Sequence, residues 1–155
     1  IGDTPLMFAI EQENLLIVNE LLVRGAQVNL MNRYGISPLM AAIRRSVGRA
    51  HVPIITRLLQ VPNINVNLQP TDRSEAAIHK AILVQNPQVL QLLLTAQVNP
   101  ALNLDIKDHE GRAPLHRAVR SPLAIDLIPM LLRAEIRWHS CTLLCKLSRY
   151  SINYA

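Results

Sequence analysis

The sequence predicts an all-α solenoid of stacked antiparallel helix pairs, with β-hairpin-like finger loops between the pairs. Three observations carry that expectation. The run Thr4-Pro5-Leu6-Met7-Phe8-Ala9 recurs as Ser37-Pro38-Leu39-Met40-Ala41-Ala42, as Ala76-Ala77-Ile78-His79-Lys80-Ala81 and as Ala113-Pro114-Leu115-His116-Arg117-Ala118, at offsets of 33, 39 and 37 residues. Each copy is followed by an apolar stretch with a Leu pair, Leu21-Leu22, Leu58-Leu59, Leu92-Leu93 and Leu131-Leu132, so each unit holds two helices. Aromatic residues are only 3% of the chain, so its interior must be built from Leu, Ile, Val and Ala, which suits close-packed helices.

The first unit shows the reasoning element by element. Thr4 is a good N-cap and Pro5 a natural first helical residue, because the N–H that proline lacks would be unsatisfied there anyway. Leu6, Ala9 and Ile10 keep helical spacing, and the small Ala9, like Ala42, Ala81 and Ala118, lets a neighbouring helix approach closely. A second apolar stripe runs through Ile17, Val18, Leu21 and Leu22, and Gly25 ends it as a left-handed C-terminal residue. From Val28-Asn29 to Gly35 the chain makes an extended excursion with turn residues Asn32, Arg33 and Tyr34, a projecting finger, before the next cap at Ser37. In the second unit, extra length around residues 46–53 lengthens the loop between the helices, and Pro53 can start the second helix. Replacement of Thr-Pro by Ala76-Ala77 and of a finger Gly by Ser74 marks the third unit as the loosest. The fourth contains the fullest copy, Asp108-His109-Glu110-Gly111-Arg112-Ala113-Pro114-Leu115-His116-Arg117-Ala118.

These residues resemble the ankyrin-repeat family, with its T-P-L-H-x-A helix start, V-x-x-L-L helix, G-A turn and D-x-x-G finger. The resemblance covers residues 1–137, in repeats of about 1–33, 34–72, 73–109 and 110–137, and leaves 138–155 as a divergent C-terminal tail. Met7 and Met40 stand where the family has His, and Ala76 and Ala113 stand where the hydroxyl that holds that His is expected. A backbone or water partner is then expected for His79 and His116, in a structural rather than catalytic role.

Composition narrows the function. Hydrophobic residues are 50% and charged residues 17% of 155, so the chain is not disordered by charge and is long enough to bury a core. No run approaches the ~18 apolar residues a bilayer needs, so no membrane partner is expected. Ile1 opens neither a leader nor an initiating Met, and a longer parent chain with further repeats is expected. Two cysteines, Cys141 and Cys145, are too few and too close for a secreted scaffold, which points to an intracellular, cytoplasmic or nuclear location. With His139 they lack a fourth ligand and the C-x-x-C spacing of structural zinc sites, so no metal is expected. No nucleotide-binding loop, hydrolase elbow or metalloprotease motif is present, so no cofactor, small-molecule substrate or catalytic residue is expected. The net charge of +5 is uneven, −2 over residues 1–43 and +7 beyond. Nucleic acid is not expected to be the partner, because stacking rings are not interleaved with the cations.

The resemblance implies a non-enzymatic protein-interaction module whose first helices line a concave face. On that face lie Phe8 and Glu11, then Arg44 and Arg45, then Lys80, then Arg117 and Arg120, turning from acidic to basic, so an acidic protein segment is the natural complement. Finger residues Asn32, Arg33, Tyr34, Ile36, Arg73, His109 and Arg112 complete the candidate surface, with Tyr34 the best lone anchor. Asn29, Asn67 and Asp105 are expected to brace their own loops. Two other readings stand beside this one. Ser140, Leu144, Cys145 and Lys146 fit a suppressor-of-cytokine-signalling box, which would make the chain a ubiquitin-ligase substrate adaptor recruiting elongins, although Cys141 and Arg149 replace apolar positions of that pattern. A plain amphipathic end helix through Leu143, Leu144 and Leu147 is the simpler account of the tail. Alternatively, the repeats select targets for an enzyme outside this segment.

Overall fold

A computed structural model of the chain describes residues 2–46, 51–70 and 75–138. The second finger's tip with Arg73, part of the inserted loop of the second unit, and the tail with His139, both cysteines and the box-like stretch lie outside the described residues. Among those described there are eight helices and no strand: α1 (Pro5–Glu11), α2 (Leu15–Val23), α3 (Pro38–Arg45), α4 (Val52–Leu59), α5 (Ala77–Leu83), α6 (Pro87–Thr95), α7 (Pro114–Val119) and α8 (Ala124–Trp138). They form four consecutive pairs. The odd-numbered helices pack in chain order to make one row, and the even-numbered helices make a second row behind it. No helix among the described residues is long and apolar enough to cross a membrane.

The apolar spacing of each helix start becomes the spine of this stack. Leu6, Ile10, Leu39, Ile43, Ile78, Ile82 and Leu115 of the first row are buried against Val18, Ile55, Leu58, Leu90, Leu93, Leu127 and Leu131 of the second. Ala42, Ala81 and Ala118 are fully buried where one odd-numbered helix meets the next, as close approach requires. Each fully buried Leu or Ile contributes roughly 1.5–3 kcal/mol, more than an exposed ion pair supplies, so stacking rests on the core. One part of the expected apolar stripe is not buried. In α2 only Val18 is buried and Ile17 is half exposed, because α2 ends its row among the described residues and α4 covers one side of it alone.

Helix capping shows a compensation between neighbouring positions. Thr4 and Ser37 accept from the backbone N–H of Met7 and Met40 at 3.2 and 3.3 Å. Where Ala76 and Ala113 supply no hydroxyl, the imidazole Nδ1 atoms of His79 and His116 accept instead from the N-cap N–H, both at 3.2 Å. Units with the hydroxyl have Met at the third helical position, and units without it have His. The His79 Nε2–H then donates to the Arg112 carbonyl at 3.3 Å and ties α5 to the third finger. Since Nδ1 accepts, His79 is the neutral Nε2–H tautomer, and burial pushes its pKa below the ordinary value.

The first and third fingers turn through one device. Asn32 Oδ1 accepts from the N–H groups of Tyr34 and Ile36 at 2.9 and 3.0 Å, and Asp108 Oδ1 accepts from those of Glu110 and Arg112, both at 2.9 Å. Gly35 and Gly111 follow with φ of 68° and 73°, a backbone conformation that favours glycine. Asn29 and Asn67 act differently from expectation, bracing the following unit rather than their own loops. Asn29 donates to the Asn63 carbonyl and accepts from Asn65 N–H, both at 2.8 Å, while Asn67 donates to the Ala101 carbonyl at 2.7 Å and accepts from Asn103 N–H at 2.8 Å. An amide carries both donors and an acceptor, so one side chain can bridge a carbonyl and an N–H of the chain segment that stacking lays beside it.

Candidate functional site

The odd-numbered helices and the first finger enclose two adjoining hollows. One of about 270 Å³ lies between the start of the chain and α3, lined by Asp3, Met7, Glu11, Asn32, Tyr34, Ile36, Ala41 and Arg44. The next, of about 350 Å³, is lined by Tyr34, Gly35, Ile36, Arg44, Pro70, Glu75 and Lys80. Tyr34, Ile36 and Arg44 belong to both, so the hollows form one trough across the first three units. Tyr34 is 62% exposed on its finger, and Phe8 is 54% exposed on α1. Pro70 packs so closely on Gly35 that a Cβ there would overlap it, which fixes the second finger against the first.

The charges of this face fall into two kinds. Arg44 and Arg45, at the end of α3, each reach the same Glu11 carboxylate oxygen at 3.7 Å, with side chains 51% and 52% exposed. One carboxylate therefore faces two guanidinium groups, at distances beyond a direct hydrogen bond. Farther along, Arg117 donates from Nε to Asp108 at 2.7 Å and from a terminal nitrogen to Glu75 at 2.6 Å, and its side chain is only 11% exposed. Lys80 meets the other oxygen of Glu75 at 3.1 Å. Arg112 Nε donates to Asp108 at 3.2 Å, and Arg112 also pairs with Glu110.

This second set is a closed network that joins the third and fourth units. The Asp108 side chain has no exposure, and burial alone would raise its pKa. The Arg112 and Glu110 N–H groups and the Arg117 and Arg112 guanidinium groups outweigh burial and hold it well below the usual carboxylate range. Glu75 is likewise lowered, as Lys80 and Arg117 outweigh its burial, and Arg117 is raised because its two carboxylates outweigh its own burial.

A family model for ankyrin repeats, in three copies, matches residues 1–70 and 46–140. The chain belongs to the ankyrin-repeat family. It is 30% identical over 127 residues to the B-cell lymphoma 3 protein homolog of Mus musculus, covering 77% of this chain and 26% of that protein. It is 36% identical over 147 residues to palmitoyltransferase ZDHHC17 of Danio rerio, covering 76% and 23% of the two. With the human transient receptor potential cation channel subfamily A member 1 it is 32% identical over 120 residues, 77% of this chain and 10% of the channel. The chain thus spans about a quarter or less of the length of these relatives.

Ankyrin repeats are protein-interaction modules, and the face of this array sorts the residues that its sequence singles out. Glu11, Tyr34, Ile36 and Arg44 line the trough, Arg45 extends its edge through the shared Glu11, and Phe8 is exposed on α1 outside the trough lining. Arg33 is exposed on the finger. Asn32 is committed to its own turn and donates to Asp3 as well. His109 is exposed beside Glu110 at 3.5 Å, away from the trough lining. Arg112 and Arg117 are held in the network, and Lys80 lies at its edge. Arg120 is exposed at the end of α7, where it lines a separate hollow of about 220 Å³ with Leu83 and Pro122. Asp3, Met7, Gly35, Ala41, Pro70 and the finger residue Glu75 complete the trough lining. The larger hollow of about 530 Å³, between the ends of α4 and α6, has no ionisable side chain in its lining and involves none of these residues. Among the described residues no three His, Cys, Asp or Glu side chains gather as metal ligands would.

Proposed function

We propose that this ankyrin array binds a partner protein in the trough between its odd-numbered helices and first finger, and that an acidic segment of that partner meets Arg44 and Arg45. The observation that carries this reading is the two guanidinium groups that share the single carboxylate of Glu11 beside exposed Tyr34. Arg and Tyr are the residue types that dominate interface energies when they anchor at the centre of a contact. Arg120 extends the cationic surplus along the same face. Location inside the cell belongs to the same proposal, since the reading needs no membrane or secreted scaffold.

The test is affinity capture by the native chain and by a triple variant, Arg44→Glu, Arg45→Glu and Arg120→Glu. Arg117 is left in place because its loss would disturb the fold. The captured protein should be depleted about tenfold or more by the triple variant, since charge reversal turns attraction into repulsion at the contact. Unchanged capture by a folded variant would refute the trough as the binding face.

A further inference from the structure

We infer that the trough takes an extended segment carrying one carboxylate and one apolar side chain two positions apart, rather than a run of acidic residues. This rests on the reading of the trough as the binding face and specifies what occupies it. The charge arrangement limits the number of carboxylates. Arg44 and Arg45 share the one carboxylate of Glu11, both half exposed and both at 3.7 Å from it, whereas the cations that share Glu75 and Asp108 are largely buried and held at 2.6–3.2 Å. Lys80, by contrast, already meets Glu75 at 3.1 Å, and the trough lining also contains Asp3. A second acidic residue of the partner would pass Asp3 or Glu75 within the ~8 Å over which charges act at physiological salt, and would be repelled.

The apolar anchor follows from the walls. Tyr34, half-buried Ile36 and Pro70 face the hollow of about 350 Å³, which is at the low end of the ~300–1000 Å³ that take small ligands and has room for an inserted side chain. Arg44 lines this hollow as well as its neighbour, so the cation and the apolar walls are adjacent. In an extended segment, alternate side chains point the same way roughly 7 Å apart, which lets one residue reach Arg44 while its second neighbour enters beside Tyr34. A partner helix would space its anchors by three or four residues instead.

The probes are four end-blocked fluorescent octapeptides of equal length, titrated by anisotropy against the native chain. One carries Phe-Ser-Asp at its centre in a Gly-Ser background, one has Asn for Asp, one has Ala for Phe, and one carries five Asp. The Phe-Ser-Asp peptide should bind, and either single replacement should weaken it about tenfold. Arg44→Glu with Arg45→Glu should erase the preference for Asp over Asn while keeping that for Phe over Ala, and Tyr34→Ala should do the reverse. Tighter binding of the five-Asp peptide would overturn this inference while leaving a basic binding face in place. Absence of binding by every peptide at millimolar concentration would overturn both.

Discussion

Replacing Asp108 tests whether the third and fourth repeats are joined by the network described above. Its two oxygens accept four hydrogen bonds, two from backbone N–H groups at 2.9 Å and two from Arg112 and Arg117 at 3.2 and 2.7 Å. Asp108→Asn keeps the oxygen that holds the finger turn, as Asn32 does in the first finger, but loses the charge that faces two guanidinium groups. Removing one member of a buried ion pair costs about 3–5 kcal/mol, and here Arg117 keeps Glu75, so about 3 kcal/mol is expected. Asp108→Ala also strands the Glu110 and Arg112 N–H groups, adding about 1–2 kcal/mol in a part-exposed setting. A domain of this size has roughly 5–15 kcal/mol in total, and in a repeat stack the loss concentrates next to the lesion. Hydrogen exchange is therefore the assay: amides of α7 should lose most protection, those of α1 least, and Asp108→Ala should exceed Asp108→Asn. Equal effects of the two variants, an effect below about 1 kcal/mol, or even loss over all repeats would refute the reasoning.

Acidification should act in two stages. The lowered pKa of His79 means its contribution is fully present above its unfolded value near ~6.5 and is lost as pH falls through the folded value. Asp108 and Glu75, also lowered, contribute fully above ~4.3 and lose that contribution only at lower pH. Urea midpoints at pH 7.5, 5.5 and 3.5 should fall in both intervals for the native chain, and Glu75→Gln should shrink the second fall; a midpoint flat from 7.5 to 5.5 would contradict the role of neutral His79. Asn67→Ala, which removes the two bonds to Ala101 and Asn103, should cost about 1–2 kcal/mol in urea unfolding, with Asn67→Asp intermediate because it keeps the acceptor. Asn32→Asp should destabilise even though it matches the third finger, because the Asn32 amide donates to Asp3 and two carboxylates would then meet; the loss should disappear in Asp3→Asn.

The fold was legible because stacking requires the same small and branched side chains at the same place in every unit. Pro5, Pro38 and Pro114 open helices as expected, and Ala42, Ala81 and Ala118 sit where helices touch. What was not legible depends on partners one repeat away. By composition Asn29 and Asn67 are local turn residues, yet they reach across 34 to 36 residues to the next unit. Their recurrence at the repeat period, continued by Asp105, is the available signal, since a polar residue kept at one place in each unit can serve as one rung of a ladder. The capping exchange between Thr4 or Ser37 and His79 or His116 was half visible: the missing hydroxyls pointed to a backbone partner, but not to which nitrogen accepts.

The cations show most clearly what charge counting cannot decide. Lys80 and Arg117 occupy one position in their repeats, the same as Phe8 and Ala41, and there the side chain passes the base of a finger. Glu75 and Asp108 stand at that base, so a cation at this position is drawn into pairing there, Lys80 with Glu75 of its own unit and Arg117 with both carboxylates across the third and fourth units. One helical turn later come Glu11, Arg44, Leu83 and Arg120, at or near the ends of their helices and beyond the fingers' carboxylates. A cation there gains about 0.3–1 kcal/mol from the helix dipole, enough to be tolerated but too little to hold it against a partner. Leu83, with no charge to satisfy, is exposed in the same series. The helix-end series is thus where sequence can change with little consequence for the stack, which is what the proposed binding face requires of its cations.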